Sequence, residues 1–144
     1  MKHISPIICT VLAVIMLFSV PVSAVENTDS RASSFFGSSS VYLYRTSSTQ
    51  FQAWFEVTAL HPMDKLGASE IKIQKSSDNE NWTTVKTCTM ANYSNLICEN
   101  TGAHASYISY TGTSGYYYRA RITLYANDGT ASGEWTRYTS SILL

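Results

Sequence analysis

Residues 116 to 125 read YYYRARITLY, and the two arginines decide how a chain like this can fold. The even positions are Tyr116, Tyr118, Ala120, Ile122 and Leu124; the odd positions are Tyr117, Arg119, Arg121, Thr123 and Tyr125. Burying unpaired guanidinium groups is costly, so only the even set can face a core. An apolar set with period two is a strand with one face inward. Asn127-Asp128-Gly129 supplies residues that tolerate positive φ, so the chain can turn back there. The stretch Glu134 to Ser141 is expected to return as the second strand of a hairpin. Tyr116 is expected inward at the strand's beginning, with its hydroxyl near a corner.

The same period recurs upstream. Val41 to Tyr44 is a short strand. In Phe51 to Ala59, the residues Phe51, Ala53, Phe55, Val57 and Ala59 share a face, and Gln52, Trp54, Glu56 and Thr58 take the other. His61-Pro62-Met63-Asp64 is expected to interrupt, because proline cannot continue a ladder. Ser69 to Lys75 puts Ile71 and Ile73 inward, and Ser76 to Asn81 is a polar turn. Trp82 to Met90 is rich in β-branched residues. Ala91 to Gly102 is a longer, less regular connection, and Ala105 to Thr111 is another short strand. About seven short strands with a turn signal every ten or so residues predict an all-β, seven-stranded antiparallel sandwich over residues 39–144. Helical periodicity is absent, which excludes a parallel sheet with crossover helices.

The chain begins with an address. Ile7 to Val20 is apolar apart from Cys9, Thr10 and Ser19, Pro21 breaks it, and Val22-Ser23-Ala24 supplies small residues before a cut. A spanning helix needs about 20 residues. Residues 1–24 therefore read as a cleaved secretory signal, with a retained anchor as the alternative and the only contact with a membrane. Residues 25–38 are small and polar except for Phe35-Phe36 and read as a flexible leader that becomes ordered near the phenylalanines. Localisation is expected to be secreted or extracellular, at the cell surface if the segment is kept.

Removal of the signal takes Cys9 and leaves Cys88 and Cys98. In an exported protein these two can pair, closing a short loop worth roughly 2–3 kcal/mol if unstrained. The alternative is two small buried thiols. No His lies near either cysteine, so no metal site is expected. The mature chain carries nine basic against ten acidic residues, without the basic run that tracks phosphates. Nucleic acid is therefore not expected as a partner.

Two blocks, IKIQKSSDNENWTTVKT (71–87) and TSGYYYRARITLYANDGTASGEW (113–135), resemble the fibronectin type III domain, one branch of the immunoglobulin-like sandwiches. The resemblance places Tyr116 at that family's corner tyrosine. It departs at Trp54, which is out of phase with the inward set, and at the long connection 91–104. The run MDKLGASEIKIQKSSDNENWTTVKT (63–87) with YYYRARITLYANDGT (116–130) is also similar to a family of small secreted proteins from Gram-positive bacteria without assigned activity. Both resemblances imply fold and export, and neither implies a site.

Catalytic chemistry is not expected. A triad needs a nucleophile, a base and an orienting acid. His61 can meet Asp64 in an ordinary loop pairing, and His104 sits in the polar stretch TGAHAS. A glycosidase needs two facing carboxylates, whereas Glu56, Glu70, Asp64 and Glu134 read as outer-face or loop residues. Asp78 to Asn81 could hold calcium loosely through oxygens or form a solvated hairpin tip. No cofactor or metal is implied. The excess is in aromatics, with ten tyrosines and three tryptophans. Trp54, Tyr117 and Tyr125 point outward by parity, and Trp135 follows the last turn. Exposed aromatics stack on sugars or partner proteins, and they also pair across strands as sheet stabilisers. The expected activity is that of an exported, non-catalytic module binding a cell-surface or extracellular partner, an unknown protein or glycan. A carbohydrate-binding module for wall glycan and a small toxin-like protein are the alternatives.

Overall fold

The computed structural model describes residues 34–144. The signal expected over 1–24, and the leader up to residue 33, lie outside the described residues. The chain forms seven antiparallel strands in a single curled sheet: β1 (Phe36–Arg45), β2 (Gln50–Ser76), β3 (Thr83–Thr89), β4 (Ile97–Thr111), β5 (Tyr117–Asn127), β6 (Ser132–Tyr138) and β7 (Ile142–Leu143). A short 3-10 turn, Ser94–Leu96, precedes β4.

The alternation in Tyr116–Tyr125 resolves as its arginines require. Tyr118, Ala120, Ile122 and Leu124 are buried, while Arg119 and Arg121 lie on the outer face. Arg119 donates to Gln74 Oε1 at 2.8 Å, with its guanidinium over the rings of Trp82 (4.4 Å) and Tyr138 (4.9 Å). Arg121 and Lys72 both reach Glu70, at 3.3 and 3.0 Å. The β5–β6 hairpin turns at Asp128, whose N–H donates to the Ala131 carbonyl at 3.1 Å, with Gly129 at φ +91°.

Strand β2 is the axis of the molecule. Its first part pairs with β1 on one edge and with β4 on the other; its second part pairs with β5 on one edge and with β3 and the start of β4 on the other. The expected interruption at His61–Asp64 is not a break. The strand runs through it, and only the ladder lapses, since the register to β4 slips between Thr58 and Met63. Pro62 sits there exposed, where its missing N–H costs nothing. The slip is a bulge of the kind that bends a sheet.

Bending at this point makes two leaves. The first contains β1, Gln50–Ala59 and Ala103–Thr111; the second contains β3, Lys65–Ser76, β5 and β6. Their inner faces meet. Phe51 contacts Tyr118 with ring centroids 5.4 Å apart, and Phe36 contacts Trp135 at 6.0 Å. Phe51, Ala53, Phe55 and Val57 from one leaf and Ile71, Ile73, Ile122 and Leu124 from the other form the core. β1 begins at Phe36, at the phenylalanines that end the leader, and Phe35 and Phe36 are both buried.

Two further expectations change. The stretch read as an irregular connection to residue 104 already contains the start of β4, and His104 is a strand residue. It pairs with Val57, its ring meets Phe55 edge-on at 5.5 Å, and Nε2 bonds the Asn95 carbonyl at 2.9 Å. The tyrosine hydroxyl that bonds back to the chain here is that of Tyr118, which accepts the Thr113 N–H at 2.8 Å. Tyr116 lies just before β5, half-buried, with the Lys75 ammonium 3.7 Å from its ring centroid.

Candidate binding face

The outer face of the first leaf is organised in rows, because residues paired across antiparallel strands point to the same side. Trp54 is paired with Tyr42 on β1 and with Tyr107 on β4. The three rings stand side by side across three strands: Tyr42 and Trp54 are 6.2 Å apart and nearly parallel, and Trp54 and Tyr107 are 4.4 Å apart at 31°. On one side the next row is Tyr44, Gln52 and Ser109, with the Trp54 indole N–H donating to Gln52 Oε1 at 2.9 Å. On the other side the rows are Ser40, Glu56 and Ala105, then Ser38, Thr58 and Ala103.

Small residues beside large ones leave a hollow. An open depression of about 560 Å³ lies over Ser38, Ser40, Thr58, Ala103 and Ala105, and Glu56 is the acidic residue in its lining. The aromatic row borders it. The Tyr42 hydroxyl donates to Glu56 Oε1 at 2.9 Å, bridging the row and the hollow. That bond, with the neighbouring carboxylate charge, raises the Tyr42 pKa above its ordinary value, so the phenol stays protonated and donating. Tyr42 and Tyr107 are each 38% exposed and Tyr44 is 59% exposed, so the rings are open to a ligand.

Of the aromatics singled out from the sequence, Trp54 lies at the centre of this face. Tyr117 and Tyr125 lie on the outer face of the second leaf, on the far side of the molecule, so Trp54 and Tyr117 do not share a surface. Tyr125 accepts from Asn127 Nδ2 at 3.2 Å. Trp135 is not a platform. Its partner on β5 is the buried Leu124, so it turns inward, packing on Phe36 beneath the Arg137 guanidinium. Tyr42 and Tyr107 were missed because period two gives a residue's face but not the residue opposite it. The available signal was that both strands place a tyrosine in phase with outward Ser residues.

Cys88 and Cys98 are both free. They pair with Ile71 and Leu66, on the same edge of β2. Five residues of extended chain between those partners correspond to about 16 Å, well beyond the ~7 Å that a disulfide can bridge. Elsewhere, the Asp78 carboxylate is consumed in its own turn, accepting from Ser76 Oγ, the N–H groups of Glu80 and Asn81, and Asn81 Nδ2. His61 bonds only its neighbour, through Nδ1 to the Pro62 carbonyl. Among the described residues, no group of three or more His, Cys, Asp or Glu is placed to hold a metal.

No protein-family model and no curated protein matches the chain. Among solved structures, the sporulation control protein Spo0M from Bacillus subtilis is similar at 8% identity, with a TM-score of 0.41 over 70% of this chain. The chain spans 47% of that structure, about half its length.

Proposed function

We propose that this chain is an exported, non-catalytic binding module, and that its outer face around Trp54 takes a neutral glycan of the extracellular space. One observation carries the reading: the Tyr42–Trp54–Tyr107 row borders a hollow floored by small hydroxylated and methyl-bearing residues, with a carboxylate at its edge. A sugar ring has apolar C–H faces and a rim of hydroxyls. Aromatic carbon suits the faces, and Glu56, Thr58, Ser38 and Gln52 offer acceptors and donors to the rim. A protein partner is the second reading, favoured by the exposed tyrosines, which supply large contact area at low entropic cost. Export rests on the apolar run Ile7–Val20 and the small residues before position 25. The fibronectin type III-like reading of the fold is supported by the inward meeting of the two leaves and by Tyr118, whose hydroxyl bonds back to a backbone N–H five residues upstream, as corner tyrosines of such sandwiches do.

The test is a glycan array and a pull-down on purified cell-wall polysaccharide, repeated with Trp54→Ala, Tyr107→Ala and Tyr125→Ala. Trp54→Ala and Tyr107→Ala are expected to weaken binding about tenfold or more, equivalent to about 1.4 kcal/mol, with unchanged circular dichroism. Tyr125→Ala is expected to bind as the parent does. Glycan binding that survives loss of Trp54 rejects the face, and absence of binding to any glycan rejects the ligand class.

A further inference from the structure

A curled sheet that does not close leaves edges, and an open edge invites pairing with another chain. Three edges here are guarded. On β3, Lys86 is opposite the buried Ile73 and points inward at the rim, where the register also slips between Ile73 and Gln74. On β6, Arg137 is opposite the buried Ile122 and lies over the Trp135 ring at 4.6 Å. Inward charges and bulges are the devices by which edges refuse partners. On β4, the 3-10 turn covers the edge: Asn95 Nδ2 donates to the Tyr107 carbonyl and to Ser106 Oγ, both at 2.9 Å.

From Ser38 to Tyr44, β1 has none of these. Over ten residues its sole charge is the terminal Arg45, which donates to the Leu143 carbonyl. It contains no proline, and its register slips only at Phe36–Ser38. Among the described residues nothing pairs with its outer edge. Its side chains are also self-complementary. A twofold axis through the strand near Ser40 sets the large Tyr42 of one copy beside the small Ser38 of the other, and keeps the two outer faces on one side.

We infer that two copies of this chain pair antiparallel through the outer edges of β1. The dimer joins the two first leaves into one continuous sheet and brings the Tyr42–Trp54–Tyr107 rows onto one surface. The inference stands apart from the identity of any ligand, since it needs only the edge.

Sedimentation velocity on the mature chain over a dilution series reads the outcome. The expected mass is twice that of one chain and falls to a single chain on dilution. Ser40→Lys puts like charges opposite each other at the axis and is expected to give a folded monomer. Ser40→Glu alone is expected to be monomeric too, and mixing the two variants to restore the doubled mass. Thr87→Lys, on the guarded β3, is expected to change nothing. A parent chain that is monomeric at every concentration overturns the inference, as does Ser40→Lys that stays dimeric. Hydrogen exchange separates the remaining case: protected β1 amides in a monomeric chain mean that the residues preceding β1 cover the edge, which also overturns it.

Discussion

Tyr118 meets Phe51 across the interior at a centroid distance of 5.4 Å, and the same side chain accepts the Thr113 N–H through its hydroxyl. One residue thus holds the leaves together and fixes the turn that enters β5. The two roles separate by substitution. Tyr118→Phe keeps the ring and leaves the Thr113 N–H without its partner, at an expected cost of about 1–2 kcal/mol. Tyr118→Ala also empties the space between the leaves, at about 3–5 kcal/mol. Urea denaturation at constant m-value reads both, and a Tyr118→Phe variant as stable as the parent excludes the Thr113–Tyr118 bond as a stabilising contact.

Gly67 marks where the second leaf passes beneath the 3-10 turn. Its φ is +156°, and a Cβ there would run into the Leu96 carbonyl and lie 3.1 Å from the His104 ring. Backbone cannot yield as a side-chain tip can. Gly67→Ala is expected to cost at least the upper part of the about 1–3 kcal/mol typical of overpacking. It should also loosen His104 from Phe55, visible as faster exchange of β4 amides. A melting temperature equal to the parent's would contradict the contact.

The cysteines behave as separate thiols. Reductant is expected to leave the melting temperature unchanged, and denatured mature protein to titrate with two thiols per chain. Cys88 is fully buried opposite Ile71, so Cys88→Ser places a hydroxyl in the core at about 1–3 kcal/mol. Cys98 is partly exposed, and Cys98→Ser is expected to stay within about 0.5 kcal/mol. A Cys88–Cys98 bridge found by peptide mapping of native protein would refute the register of β3 and β4 on β2.

Parity carried most of what the sequence disclosed. Ile122, Leu124, Phe51 and Phe55 are buried because a charged or amide side chain at alternate positions leaves one choice of face. Parity is local, however, and says nothing about which strand lies alongside. The continuity of β2 through Pro62 depends on β1 and β5 sharing one of its edges, a long-range arrangement that no window of residues contains. The binding face was half legible for the same reason. Trp54 could be placed outward, but its flanking tyrosines come from positions 12 residues before and 53 after it in the chain. Trp135 misled because it was read from its place after the last turn, whereas parity with Glu134 and Thr136 and its partner Leu124 across the ladder both turn it inward.

Acid should weaken the protein at two turns. Backbone and side-chain bonds from Asn81, with Ser76 and Glu80, hold the Asp78 carboxyl well below the usual carboxylate range; the Ala131 and Thr130 N–H groups and the Thr130 hydroxyl do the same, less strongly, for Asp128. Each folded-state pKa is depressed, so each contribution is fully present above the unfolded value of about 4. It is lost as pH falls from there through the folded value. The denaturation midpoint of the parent should therefore exceed that of Asp78→Ala and of Asp128→Ala by a constant amount from neutrality down to about pH 5. Below about pH 4 each gap should narrow, and the Asp78 gap should persist to lower pH because its carboxyl is held lower. Gaps that widen on acidification, or an Asp128 gap that outlasts that of Asp78, would remove these bonds as the source of acid sensitivity.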